Sequence, residues 1–507
     1  MTIEAILLNA TWILPILTVL MVIPVSRSNS FLIKMIHAGS ALVNVLIAGF
    51  LTWKVFAISA AAGIPAGNKP LLNFVTDLPW MQMLNVRFIT GVDALSILMI
   101  LLTSVVVFTG ILATWNIDKQ DKEFFALAQI LSAGVFGVFM AFDLVTFFVF
   151  YELEALAMYL MIANWGSGRK DYGGKKLTLY LMLGSAMILV TILGLYFVSG
   201  TESFDIRVLA DIKFPMDFQM WAFPVMFLGF AVSSSLFPFH NWSPDGHSSA
   251  PTAVSMLAAG VMMKMGTYGC LRVAMYLMPE GARFWMPWIV ILVAFNVVFA
   301  AFIAIRHRDL KYITAYSSIG HLGLIVLGLC AMTYIGIKGA ALQMISHGFL
   351  TALFFSTIGM IYSRTHTRMI DEMGGIMKTV PFLGVGFVIA GFAGLGLPGL
   401  SGFVAEATIF IGSFQNESTL MRLVTVLAIL GVTTTAVYVL RAANTMLHGP
   451  ITNPHFEHLP ASTLPEKITV VLLVGCLLGM GLFPGWISSM LDTSLTPISV
   501  NVLRGTP

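Results

Sequence analysis

The stretch AVSSSLFPFHNWSPDGH, residues 231–247, interrupts an apolar run that is otherwise long enough for a helix. Pro238 removes a helical hydrogen bond because it has no backbone N–H, and three serines stand just before it. A second interruption, GLGLPGLSG at residues 394–402, sets Pro398 among closely spaced glycines. Either break alone is weak evidence, since transmembrane helices tolerate both residue types. Two broken helices in corresponding positions indicate an internal repeat and an ion pathway.

The composition places the chain in a membrane. Of the 507 residues, 58% are hydrophobic and only 10% are charged, whereas soluble domains are about 25% charged. Runs of about 20 apolar residues mark transmembrane helices, and such runs make up most of this chain. The predicted fold class is therefore an all-α polytopic membrane protein.

We predict about fourteen spans from the apolar runs. They are 4–25, 31–57, 92–114, 123–141, 143–163, 177–199, 220–241, 252–275, 284–305, 311–332, 338–362, 381–413, 421–445 and 467–490. The breaks fall in spans seven and twelve, which predicts two inverted five-helix repeats at residues 116–278 and 279–446. Residues 1–115 would form three N-terminal helices, and residues 447–507 would hold the fourteenth span.

The orientation follows from lysine and arginine. When the loops are assigned to alternating sides, 16 of the 27 basic residues fall on one side, which we call the basic face. Ten, among them Arg272 and Arg504, fall on the opposite face, and Lys264 lies inside a span. The positive-inside rule makes the basic face cytoplasmic. Both termini are then predicted to lie on the outer side.

Several function classes find no support. Cys270, Cys330 and Cys476 lie in apolar runs without the spacing of a metal or iron–sulfur site, and we expect them to be buried small residues. No haem or nucleotide motif is present, and a net charge of +3 gives no case for nucleic acid.

Ionisable residues at membrane depth are the candidate site. A charge at the centre of a transmembrane helix costs about 2.5–3.5 kcal/mol on insertion scales. Any one such residue can be a structural group, but acids, a base and imidazoles together are the components of a proton relay. The predicted set is Glu152, Glu154, Lys264, His321, His347 and Glu406.

Two of these positions carry further expectations. The formal charges nearest in sequence to Lys264, in AAGVMMKMGTYG (258–269), are Asp245 and Arg272, on either side of a stretch long enough to cross a bilayer. Because burial penalises the ammonium, Lys264 is expected to act as a switchable proton carrier. Glu152 and Glu154 lie about 200° apart around a helix, so they cannot share a face. One can face a relay while the other faces a neighbouring helix or subunit.

The motifs resemble the antiporter-like membrane subunits of respiratory complex I and their relatives in Mrp antiporters and hydrogenases. The resemblance spans roughly residues 90–450. It is carried by HNWSPDGHSSAPTAVSMLAAGVMMK (240–264), FYELEALAMY (150–159), LKYITAYSSIGHLG (310–323), ALQMISHGF (341–349) and GLPGLSGFVAE (396–406). Ser243 and Gly246 depart from the family's pattern in the first of these stretches.

Among these subunits the chain looks most like the M type. It ends without the long lateral helix of the L type, and Glu406 stands where L and N types usually carry lysine or aspartate. The resemblance implies a non-redox subunit that moves protons beside L-type and N-type neighbours. Flavin, iron–sulfur clusters and quinone would belong to partner subunits, so no cofactor is expected in this chain. The implied location is a bacterial-type plasma membrane.

The family's roles carry over by position. Glu152 matches the span-five glutamate, Lys264 the central lysine of span eight, and Glu406 the terminal acid. His321 and His347 match the bridging histidines, and His240 matches the histidine after the broken helix. Asp245 and His247 resemble loop residues with structural hydrogen bonds.

One position departs from the family's pattern. The family has a lysine seven residues before the residue matched by His240, as partner of the span-five glutamate, and this chain has Ser233 there. No cation stands anywhere in residues 220–239. Either pumping uses a route through water and the serine hydroxyls, or the usual lysine switch is lost. Glu154, which is extra to the pattern, would either compensate or contact a neighbouring subunit.

Three functions stay open at the level of the sequence. The first is a proton-translocating subunit of a complex I-like quinone oxidoreductase. The second is a component of a cation/proton antiporter that works without quinone chemistry. The third is a membrane spacer that has ceased to pump, an interpretation that Ser233 supports.

Overall fold

The computed structural model describes residues 2–65 and 67–503, and these form an almost entirely helical bundle. Thirteen helical segments of the described residues are long and apolar enough to cross a membrane. The shorter apolar helix Pro381–Gly394 begins the broken twelfth span. The predicted polytopic α-helical class is thus confirmed. Arg504, counted above on the opposite face, lies outside the described residues.

Long helices that can cross a membrane alternate with a few short ones. In chain order they are α1 (Ile3–Val22), α2 (Ser30–Ala62), α3 (Ala94–Ala113), α4 (Asp121–Met140), α5 (Leu144–Trp165), α6 (Lys170–Ser199), α7 (Ile206–Leu209), α8 (Met216–Ser233), α9 (Trp242–Ser249), α10 (Thr252–Leu257), α11 (Met263–Gly269), α12 (Pro279–Arg306), α13 (Leu310–Cys330), α14 (Tyr334–Thr365), α15 (Ile376–Thr379), α16 (Pro381–Gly394), α17 (Ser401–Gln415), α18 (Thr419–Leu447), α19 (Leu464–Leu482) and α20 (Gly485–Val502). Two π-helical segments, Ala258–Met262 and Cys270–Met275, flank α11 and make span eight continuous.

The two broken spans have the same backbone geometry. The N–H of Leu236, after α8, donates to the carbonyl five residues before it, and the N–H of Leu397, after α16, does the same. The residue just before each has a positive φ, 53° at Ser235 and 64° at Gly396. Such a turn ends a helix and frees backbone groups for other partners. The repeat predicted from the two prolines is therefore visible in the backbone.

The repeats are inverted, as their helix starts show. The Asp143 carboxylate accepts hydrogen bonds at the start of α5, on the opposite face. The Asp309 carboxylate does so at the start of α13, on the basic face. Each aspartate also forms an isolated bridge with a later loop, Asp143 with Asp205 and Asp309 with Met369. The same corner thus occurs once on each face.

Two elements on the opposite face were not predicted. Within the long loop after α2, strands β1 (Asn73–Met81) and β2 (Val86–Val92) form an antiparallel hairpin. The predicted fourteenth span ends early, at Leu482, because Pro484 and Gly485 turn the chain into α20.

Helix α20 lies across helix ends rather than through the membrane. Asp492 pairs with Lys338 at 2.6 Å near the start of α14, and the Asn501 amide donates to the Tyr276 carbonyl at 2.7 Å. Both partners belong to the opposite face. The prediction for residues 485–490 is corrected accordingly.

The broken span seven packs directly on span eight at a glycine. A Cβ added to Gly266 would overlap the Ser234 hydroxyl oxygen and would lie 2.5 Å from the Phe230 carbonyl oxygen. The Ser234 hydroxyl also donates to the Met263 carbonyl at 3.3 Å. Only a glycine permits this approach, which places the break beside Lys264.

Replacing Gly266 with alanine should destabilise the protein by about 1–3 kcal/mol, because the methyl group would overlap backbone that cannot move freely. Gly475 of α19 is the matched control, since a Cβ added there would meet nothing within 4 Å. Thermal unfolding in detergent of the assembled protein measures both variants. Equal midpoints for Gly266→Ala and Gly475→Ala would contradict the close packing.

Candidate proton relay

Lys264 lies at the centre of the bundle and is fully buried. Its ammonium donates a hydrogen bond to the Ala259 carbonyl, five residues back in the π-helical segment. Among the described residues, no carboxylate lies within ion-pairing distance of it. Lys264 is thus held by a backbone dipole in place of a counter-ion. Such a group can change its charge without breaking a salt bridge.

Span eight meets α14 at a pair of glycines. A Cβ on Gly348 would lie 2.8 Å from the Gly260 carbonyl oxygen, so the two backbones are nearly in contact. The neighbouring residue, His347, is buried and comes close enough to Lys264 for their charges to interact. Both of its ring nitrogens lack a hydrogen-bond partner within the described part of the chain. Both the donor and the acceptor nitrogen of a neutral imidazole are therefore still available at this position.

The side chain of His347 lies next to that of His321, which in turn lies next to that of Glu406. The centroids of the two imidazole rings are 5.1 Å apart. His321 Nδ1 lies 3.2 Å from Glu406 Oε1, and it lies 3.3 Å from the Gln343 amide nitrogen. All three ionisable residues are buried. The structure therefore brings Lys264, His347, His321 and Glu406 together in one line.

The carboxylate of Glu406 lies against the backbone of the break in span twelve. A Cβ at position 396 would lie 2.5 Å from Glu406 Oε2, and Gly396 also has a φ of +64°. Both the close approach and the left-handed conformation require glycine. The break in span twelve thus makes room for the carboxylate of Glu406.

Toward the basic face, His247 extends the line. It is buried, its ring packs at a tilt against Phe355 with centroids 5.1 Å apart, and it lies within electrostatic reach of both Lys264 and Lys311. The Lys311 ammonium donates to the Ala250 carbonyl at 2.5 Å. Sequence reasoning placed His247 in a loop, because the short helix α9 after the break could not be anticipated.

Asp245 marks the rim of the same region. Its carboxylate pairs with Lys176 at 2.7 Å and accepts the Tyr312 hydroxyl at 2.9 Å. The expectation of hydrogen bonds to Asp245 agrees with this geometry. The cluster joins both repeats at the basic face, since Lys176 belongs to the first and Tyr312 to the second.

The two glutamates of span five face different neighbours. Glu154 is buried against α4, where a Cβ on Gly134 would lie 3.2 Å from that of Glu154. Glu152 is only partly buried and lies beside Ser185 of α6. Within span five, the side chain that interacts with Ser233 is that of Tyr151, and not that of Glu152. The structure thus does not bring Glu152 into the Lys264 line.

His240 also lies apart from that line. Its ring stacks on Phe237 and meets the edge of Phe299, with centroids 5.6 and 5.9 Å away. The charged group that acts on it is Lys176 at the basic face. Asn296 fixes the break nearby, because it accepts the Phe237 N–H at 2.8 Å and donates to the Ile319 carbonyl at 2.9 Å.

A buried ion pair anchors the far end of span eight. Arg272, predicted to lie in a loop, is buried and pairs with Asp93 at the start of α3. The Arg272 guanidinium also donates to the Tyr268 hydroxyl at 3.2 Å. Asp93 and Arg272 lie far apart in the chain, so a single sequence carries no signal of their contact.

Two inverted repeats, each with a broken helix, around a line of buried ionisable side chains define a membrane ion translocator. The family described as "NADH:quinone oxidoreductase/Mrp antiporter, TM" matches residues 141–431. A curated relative, chain 4 of NAD(P)H-quinone oxidoreductase from Trichodesmium erythraeum, is 34% identical over 91% of this chain and 88% of its own length. The chloroplast chain 4 from Mesostigma viride is 31% identical, with 97% of each chain covered. This chain belongs to that family.

Solved structures share the fold. A chain of respiratory complex I from Thermus thermophilus has a TM-score of 0.85 and 25% identity, and covers 98% of this chain and 100% of that one. A chain of the Mrp complex from Dietzia has a TM-score of 0.83 at 19% identity, with 99% and 100% covered. The second likeness concerns the fold alone.

Replacing Arg272 with leucine should cost about 3–5 kcal/mol of stability, because the buried Asp93 would lose its counter-ion. Adding Asp93→Asn, which keeps a side chain able to cap α3, should recover much of that loss. Thermal unfolding of the two variants and the parent decides it. A double variant less stable than Arg272→Leu would contradict the assigned pairing.

Proposed function

We propose that this chain is a proton-translocating, non-redox subunit in the membrane arm of a complex I-type quinone oxidoreductase. The observation that carries the proposal is the line from Lys264 through His347 and His321 to Glu406. The two imidazole rings have centroids 5.1 Å apart, His321 Nδ1 lies 3.2 Å from Glu406 Oε1, and Lys264 is near enough to His347 for their charges to interact. Family membership supports the same function.

Protons would reach this line from the basic face. His247 lies within electrostatic reach of both Lys311 and Lys264, and the Asp245 cluster joins the two repeats at the surface. Lys264 would accept a proton there and release it to His347, because among the described residues its ammonium donates to a backbone carbonyl and to no carboxylate. Glu406, set in the second break, would receive it. Glu152, Glu154, Ser233 and His240 would tune the first repeat without lying on this line.

The chain's place in its complex is part of the proposal. Glu406 in span twelve supports an M-type subunit with L-type and N-type neighbours. Flavin, iron–sulfur and quinone chemistry would occur in other subunits, and proton movement here would make the chain part of a translocase. Its place would be a bacterial-type plasma membrane, with the basic face toward the cytoplasm and both termini outside.

A cation/proton antiporter component is the second candidate, favoured by the fold shared with the Mrp chain. Purification distinguishes the two. Co-isolation with iron–sulfur and quinone-binding subunits supports the oxidoreductase, and Na⁺-dependent proton exchange without them supports the antiporter.

Replacing Lys264 with alanine or Glu406 with glutamine should lower the number of protons moved per electron, because each removes an ionisable member of the line. The iron–sulfur clusters should remain assembled, since neither residue touches a redox centre in the proposed arrangement. Proton uptake and electron transfer are measured together in reconstituted vesicles.

Two variants serve as controls. Met263→Ala removes a similar buried volume beside Lys264 without changing charge, and Glu417→Gln changes an exposed glutamate in the loop before α18. Both should keep the parent ratio. An unchanged ratio in Lys264→Ala and in Glu406→Gln would favour a non-pumping spacer.

A further inference from the structure

A column of polar side chains runs between α1, α2 and α4, on the far side of α4 from Glu154. Lys34, His37, Ser40 and Asn44 recur at helical spacing along one stripe of α2, and all four are buried. Thr18 of α1 donates to the Ser40 hydroxyl at 2.6 Å. The backbone carbonyl of Thr11 in α1 accepts the Asn44 side-chain amide at 3.1 Å. The Gln129 side-chain amide of α4 donates to the His37 backbone carbonyl at 3.3 Å and completes the column.

Unpaired polar atoms concentrate in this column. Both ring nitrogens of His37, the Asn44 side-chain oxygen and the Gln129 side-chain oxygen are buried without a hydrogen-bond partner among the described residues. His37 itself is 0% exposed. A buried polar atom left unpaired costs about 1–3 kcal/mol. Several such atoms facing one seam are the arrangement that internal water satisfies.

Charged residues surround the basic-face end of the column. Asp121 of α4 accepts the Ser30 hydroxyl, and its charge reaches His37. Lys34 pairs with Asp118 at 3.3 Å, and Arg27 pairs with Glu123. The Lys122 ammonium is held by the carbonyls of Ile23 and Val25. Helix α3, packed on the other side of α2, has no ionisable side chain.

The other end of the column is closed. Asn9 donates to the Thr76 hydroxyl at 3.0 Å and accepts the Thr90 hydroxyl at 3.1 Å, so the hairpin covers it. The Trp12 indole N–H also donates to Asn9, at 3.3 Å. Because these groups satisfy one another, the unpaired atoms stop at Asn44. The column is open to polar groups at one face only.

We propose that α1, α2 and α4 enclose a second hydrated half-channel, separate from the Lys264 line, in which His37 is a proton-binding group reached from the basic face. Water would fill the seam between His37, Gln129 and Asn44. The Asn9–Thr76–Thr90 cluster would prevent a leak to the opposite face. The inference stands independently of the proposed function, since it concerns other residues.

Thiol accessibility tests the hydration. Ser40→Cys and Thr18→Cys place thiols in the seam, and Ala48→Cys, equally buried one turn beyond Asn44 on the same stripe of α2, is the matched control. A small water-soluble methanethiosulfonate is added to membranes that hold the assembled protein. Peptide mass spectrometry separates these sites from the three native cysteines.

The thiol introduced by Ser40→Cys or by Thr18→Cys should react at least ~10-fold faster than the thiol introduced by Ala48→Cys, because the thiolate that reacts forms only in contact with water. Two positions guard against one variant failing to assemble. Equal, slow labelling at all three sites overturns the half-channel.

Infrared spectroscopy tests the proton-binding group. With ¹⁵N-labelled histidine, the pH-difference spectrum of the parent protein should contain an imidazole signal from His37. The variant His37→Gln should lack this signal. The control variant His455→Gln, which changes an exposed loop residue before α19, should lose its own surface band and retain the His37 signal. Loss of that signal supports the proposal. A parent spectrum identical to that of His37→Gln between about pH 4 and pH 9 overturns it.

Discussion

Lys264 carries an ammonium group in the middle of a membrane protein, and its immediate surroundings decide how that group is held. Lys264 has no carboxylate partner among the described residues, and a lone charge at this depth costs about 2.5–3.5 kcal/mol on insertion scales. The π-helical segment before it supplies a carbonyl, and glycines on both sides let neighbouring helices approach. Gly266 admits the break of span seven, and Gly260 admits α14 with His347. The packing of the bundle centre is thus organised around one ionisable group.

The same helix-ending turn occurs in both inverted repeats, but its surroundings differ between them. Leu236 and Leu397 occupy equivalent positions in the two turns. Asp245 follows Leu236 by nine residues, and Glu406 follows Leu397 by nine residues. Asp245 pairs with Lys176 at the surface, whereas Glu406 is buried against His321. The same break therefore forms a charged rim on the basic face in one repeat and holds a deeply buried carboxyl group in the other. Such an asymmetry gives a direction to a pathway built from similar halves.

The sequence predicted those features that local chemistry determines. Composition gave the membrane class, proline with glycine or serine gave both breaks, and lone charges in apolar runs gave Lys264, His347, His321 and Glu406. Contacts between segments that are distant in the chain could not be predicted from the sequence. Examples are the Arg272–Asp93 pair and the position of α20 across helix ends, which depend on the assembled bundle. Glu152 and Glu154 were correctly expected on different faces, but only the packing against Gly134 shows which one is buried.

Proton passage between the repeats through the imidazole of His347 is the step on which the proposed function rests. Its most direct test is the ratio of protons moved to electrons transferred in vesicles that contain His347→Leu, with Met344→Leu, another buried position of α14, as control. We expect a lower ratio in His347→Leu, with electron-transfer centres intact and a normal ratio in the control. A normal ratio in His347→Leu would contradict the claim.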